Sequence, residues 1–109
     1  MDFQTLLAAL NTNPTSKFAF KTGSGPKNVI KSGSVVNAVA KTDTNVVVTL
    51  ASGSAKYDTC ANVLKVLVGV DATACASLVV LVNSEEVVYT ISSSEVVEDY
   101  LIVNVAKQS

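Results

Sequence analysis

The chain has 109 residues, with 8 Lys against 9 acidic residues and a net charge of −1. It is therefore read as one compact domain, 1–109, without the electrostatic footprint that nucleic acid or an anionic membrane surface calls for. At 49% hydrophobic and 16% charged, it lies far from the composition of disordered chains.

Valine supplies 20 residues and alanine, serine and threonine a further 12, 12 and 10, while arginine, histidine and tryptophan are absent. Valine and threonine suit a pleated sheet. The missing types remove the bidentate phosphate fork, the commonest general base and the commonest transition-metal ligand.

In chain order, Phe3, Leu6, Leu7 and Leu10 recur at helical spacing, with Asp2 placed to cap a short helix and Pro14 to end it. Residues 17–22 put Phe18 and Phe20 on alternate positions, as in a half-buried strand, and Gly23-Ser24-Gly25-Pro26 then forms a turn. That loop lacks the Gly-Lys-Ser/Thr close of a phosphate-binding loop, and Pro26 removes a backbone donor. From 29 to 51 two valine-rich runs flank the polar cluster 41–45 and predict a hairpin, with Gly33 at a bulge or bend.

The period then changes. Tyr57, Cys60, Ala61, Leu64, Leu67 and Val68 share a helical face, predicting an amphipathic helix over 57–69 that ends at Gly69. Asp71 can cap a second helix to about Leu81, although the run Leu78-Val79-Val80-Leu81-Val82 also suits a buried central strand. Residues 86–91 read as a strand, Ser92-Ser93-Ser94 as a turn, and 96–106 as a last strand with apolar positions on both faces. The expected class is α+β: a mainly antiparallel sheet of about five strands, with a short N-terminal helix and one or two helices (about 57–69 and 71–81) packed on it.

Cys60 and Cys75 are too far apart for a redox pair and supply only half a zinc site, so no metal or cofactor is expected. They read as small buried apolar residues, with a disulfide as the alternative. Met1-Asp2-Phe3-Gln4 does not look like a secretory leader, which favours cytoplasmic synthesis and reduced thiols. Residues 60–82 approach the length of a membrane span, but Lys65, Gly69 and Asp71 interrupt them, and two buried core elements are expected instead.

The one cluster of charge is Glu85, Glu86, Glu95, Glu98 and Asp99, on either side of the expected 92–94 turn, where all five acids would meet at one end of a hairpin. Their spacing matches no calcium-binding loop. A solvated charged rim is one reading, and a contact surface for a partner is the other.

Small residues, scarce charge and missing catalytic types favour a non-enzymatic protein. In length and composition alone, the chain resembles small virion components of bacteriophages, such as capsid decoration or tail proteins. That resemblance implies a homo-oligomer or a subunit of a larger assembly, resident in the virion. The alternative is a small virus-encoded inhibitory protein that binds a host protein through the acidic cluster. Lysine or carboxylate catalysis, or a site shared between subunits, is the third reading.

Overall fold

Residues 3–23, 30, 35–41, 44–51, 57–71, 75, 77–82 and 84–108 are described in this computed structural model. Among them are two helices, α1 (Phe3–Thr12) and α2 (Cys60–Leu67). There are seven strands: β1 (Lys17–Lys21), β2 (Val35–Ala40), β3 (Asn45–Leu50), β4 (Asp58–Thr59), β5 (Ser77–Val82), β6 (Glu85–Val97) and β7 (Tyr100–Lys107). They form one sheet in the order β2-β3-β5-β6-β7-β1-β4.

The class is mixed α+β, and the sheet differs from expectation in three ways. It has seven described strands rather than about five, and two of its pairings, β3 with β5 and β1 with β7, are parallel. The third difference is that β5 replaces the later part of the helix expected over 71–81. Leu78, Val79 and Val80 are at most 2% exposed. Lying between β3 and β6, they are covered on both faces, and a strand in that position needs an unbroken apolar run rather than an alternating one. Residues 60–82 thus comprise α2 and β5, and among the described residues no helix is long and apolar enough to cross a membrane.

The serine triplet is also not a turn. β6 runs straight through Ser92, Ser93 and Ser94 with a bulge between Ile91 and Ser93. Serine hydroxyls that could bond their own backbone in a turn instead bond across to β7. Ser92 Oγ donates to the Asn104 carbonyl at 2.9 Å, and Asn104 Nδ2 donates to Ser93 Oγ at 3.2 Å. The chain reverses later, at Glu98-Asp99, where Glu98 takes a left-handed φ of 54°.

The helix expected over 57–69 is shorter. Tyr57 precedes it, Asp58 and Thr59 pair with β1 as β4, and Thr59 then caps α2 by accepting the Asn62 N–H at 3.3 Å. The Asp2 cap, the Ser24-Gly25-Pro26 part of the first turn, Gly33, and residues 42–43 and 72–74 lie outside the described residues. The β2–β3 hairpin does form, closed by a bond from the Lys41 N–H to the Asn45 carbonyl at 3.0 Å.

One hydrophobic core joins both helices to the sheet. Phe3, Leu6, Leu10, Cys60, Val63 and Leu67 come from the helices. They meet Phe18, Phe20, Val46, Val48, Leu78, Val80, Ile91, Leu101, Val103 and Val105 from one face of the strands. Phe18 and Phe20 touch edge to face at 4.8 Å between centroids. The sheet curls around this core until its two outermost strands meet, where Asp58 of β4 accepts the Val35 N–H of β2 at 3.3 Å. α2 lies against both β2 and β1, spanning the gap between the two edges.

Candidate interaction surface

The five acids do not meet. Glu85 and Glu86 open β6, opposite Val82 and Leu81, while Glu95 lies near its other end and Glu98 and Asp99 form the turn. Glu95 lies nine steps along the strand from Glu86, about 30 Å at 3.3 Å per residue, in a protein whose longest axis is 34 Å. Moving the turn from 92–94 to 98–99 is what separates them, because β6 became one long strand.

At the first end, Lys41 Nζ donates to both carboxylate oxygens of Glu86, at 2.7 and 2.6 Å. Both side chains are nearly half exposed, and such pairs contribute about 1 kcal/mol or less. The bridge fastens the β2–β3 hairpin to the start of β6 and leaves Glu86 already partnered.

The second end has more varied chemistry. Glu95, Glu98 and Asp99 are exposed. Between them Val96 and Val97 are 57% and 45% exposed, an apolar pair that sequence reasoning absorbed into an alternating strand. Tyr100 pairs with Val97 across the turn and with Lys17 on β1. Its ring lies 5.2 Å from that of Tyr57, and Lys17 Nζ stands 5.4 Å above it. Lys17 also donates its N–H to the Asp99 carbonyl at 2.8 Å, which holds the turn against β1. Two valines, two tyrosines, one lysine and three acids thus share this end of the protein. The signal available in the sequence was the two-faced polarity of residues 96–105, which requires contact on both sides of the strand.

The cysteines are buried thiols that no disulfide joins, and Cys75 Sγ donates to the Asp71 carbonyl at 3.1 Å. Burial, followed by the nearby Asp99 charge, pushes the Cys60 thiol up to about 11. That is the reverse of what a nucleophile needs. Among the described residues, no three His, Cys, Asp or Glu side chains converge as metal ligands would. An open concavity of about 330 Å³, lined by Pro14, Ala61, Leu64, Lys65 and Val68, lies on the outer side of α2 and is almost wholly apolar.

The chain matches no family model, no curated protein and no solved structure.

Proposed function

We propose that this chain is a non-enzymatic assembly protein that acts by self-association or by docking on a larger particle, and that a small bacteriophage virion component is the kind of subunit it represents. The observation that carries the assembly reading is the exposed pair Val96 and Val97, at the end of a hairpin that overhangs the neighbouring strand β5. Val97, opposite Tyr100 and beside the Tyr57 ring, gives one face an apolar and aromatic surface, Val96 is exposed on the other face of the strand, and the three carboxylates of this end supply a polar margin. The virion reading adds the likeness in length and composition.

Light scattering across concentration, together with cosedimentation on assembled particles, tests the proposal. The expected result is concentration-dependent growth or particle binding that Val96→Ser with Val97→Ser weakens while the melting temperature holds. A chain that stays monomeric and leaves particles unbound overturns it.

Glu95, Glu98 and Asp99, exposed together at that same end, support a second reading: an inhibitory module whose acids meet a basic groove on a host protein. Under that reading, neutralising the three acids abolishes host-protein binding without altering the fold, and unchanged affinity removes it.

A further inference from the structure

Along β7, Leu101, Val103 and Val105 enter the core, so Tyr100 and Ile102 face the other way, onto the outside of the sheet, where both are half-exposed. Strand register carries these outer rows onto both neighbours. Ile102 lies between Ala19 of β1 and Glu95 of β6, and Tyr100 lies between Lys17 and Val97. Lys21 follows Ala19 on the same face, two residues along β1. This outer face therefore has an apolar and aromatic middle on β7, lysines along one side and a glutamate on the other. Among the described residues, none of Lys17, Lys21 and Glu95 is in an ion pair.

We propose that this face packs against the same face of a second copy, across a two-fold axis running along β7. The proposal rests on the assembly reading and specifies its surface and its partner.

Charge complementarity selects both the partner and the axis. An axis along β7 keeps each row at its own level and exchanges the two sides, so β1 of one copy covers β6 of the other. Ile102 and Tyr100 then meet their own copies and form the apolar middle of the contact. Glu95 meets Ala19 of the other copy. That alanine is only 5% exposed and stands between Lys17 and Lys21, so the carboxylate arrives over a small side chain with an ammonium group on either side. The arrangement occurs twice in each dimer, as a self-complementary contact requires. An axis across the strands instead sets β1 on β1 and β6 on β6, where lysines face lysines and like charges oppose binding.

Shape agrees with charge. Packed sheets lie about 10 Å apart, and this one curls around its core, so the gap widens from β7 toward β1 and β6. The long side chains Lys17, Lys21 and Glu95 stand where the gap is wider. Lys17 already leans toward β7, with Nζ 5.4 Å from the Tyr100 ring centroid. The 98–99 turns of both copies lie at one end of the contact, and there Lys17 covers Val97 of the other copy, between Glu95 and Glu98.

Sedimentation velocity of the full chain tests the proposal, with Glu95→Lys as one variant and Lys17→Glu with Lys21→Glu as the other. A contact three strands wide is small, so concentrations extend to about the millimolar range. Each variant alone is expected to dimerise about tenfold more weakly than the parent or worse, because both of its contacts then bring like charges together. An equimolar mixture should recover the parent's affinity, since every charge at the contact of a mixed dimer again meets its opposite. Circular dichroism checks folding of both, and if the doubly substituted chain does not fold, Lys21→Glu alone replaces it, with the mixture still tighter than either component.

Variants that dimerise as tightly as the parent, or a mixture no tighter than its components, overturn the face pairing and leave the assembly reading standing. A parent that stays monomeric yet cosediments with particles does the same. A monomer that binds no particle overturns both.

Discussion

The carboxylate of Asp58 accepts the backbone N–H of Val35 at 3.3 Å, so a side chain of the strand at one end of the sheet holds the strand at the other end. Seven strands in one sheet twist and coil, and here the coiling brings β2 and β4 within reach of each other without a backbone ladder between them. The Asp58 carboxylate supplies the acceptor that a neighbouring strand would have supplied.

Removing that acceptor should loosen β2 first. Asp58→Ala is expected to lower stability by about 1 kcal/mol and to speed amide exchange in β2 more than in β5. Asp58→Asn, which keeps an acceptor oxygen, should retain most of the protection. Urea unfolding and hydrogen exchange check both, and equal exchange in β2 for all three proteins would show that the tie carries no weight.

The neighbours Leu67 and Val68 give a direct contrast in burial. Leu67 is 1% exposed within the core and Val68 is 74% exposed. Leu67→Ala should cost about 2–5 kcal/mol through lost burial and a residual cavity. Val68→Ala should stay within about 0.5 kcal/mol. Denaturant midpoints measured side by side decide this, and similar shifts for the two would place α2 wrongly against the sheet.

Cys60 makes stability depend on pH in the alkaline range. Its thiol ionises near 9.0 when unperturbed and near 11 in the folded protein, because burial, and then the Asp99 charge, disfavour the thiolate. Below the lower value both states hold the proton and stability is unaffected. Between the two values the unfolded chain loses its proton first, so stability falls as pH rises, levelling off above the upper value after a loss of roughly 2–3 kcal/mol. Urea unfolding of the parent and of Cys60→Ala should therefore show a stability gap that narrows between pH 8 and pH 10.5. A gap independent of pH would count against the buried thiol.

Much of the local structure was legible in the residues because local signals were strong. α1 follows from Phe3, Leu6 and Leu10 at helical spacing, and β1 from Phe18 and Phe20 on one face of a strand. The β2–β3 hairpin follows from two valine runs around a polar turn. Two expectations failed where a residue type serves opposite ends. Leu78 to Leu81 fit a buried helix as well as a central strand, and only their position between β3 and β6 separates the two. Ser92 to Ser94 resemble a turn, yet the Ser92 and Ser93 hydroxyls bond to Asn104 of β7, a partner set by tertiary pairing.

The candidate surface was legible in its residues and not in its arrangement. Glu95, Glu98 and Asp99 do share one end, but Glu85 and Glu86 lie at the other, and Glu86 is engaged with Lys41. Val96, Val97, Tyr57 and Tyr100 belong to the same end and carried no motif that could announce them. Exposure of an apolar side chain depends on what fails to cover it, and sequence pattern does not record that.

By itself the sequence determined composition and its consequences: a sheet-rich chain able to bury a core, lacking histidine and arginine, with little charge for long-range attraction. The tertiary structure alone decided which strands are neighbours. Parallel pairing of β1 with β7 and of β3 with β5 joins segments distant in the chain, and the register of β6 sets where its pairing with β5 ends, at Thr90 with Ser77. Hydrogen bonds between strands use backbone groups that every residue but proline carries in full. Side chains can therefore favour a strand, while the choice of partner falls to the packing of the whole sheet around its core.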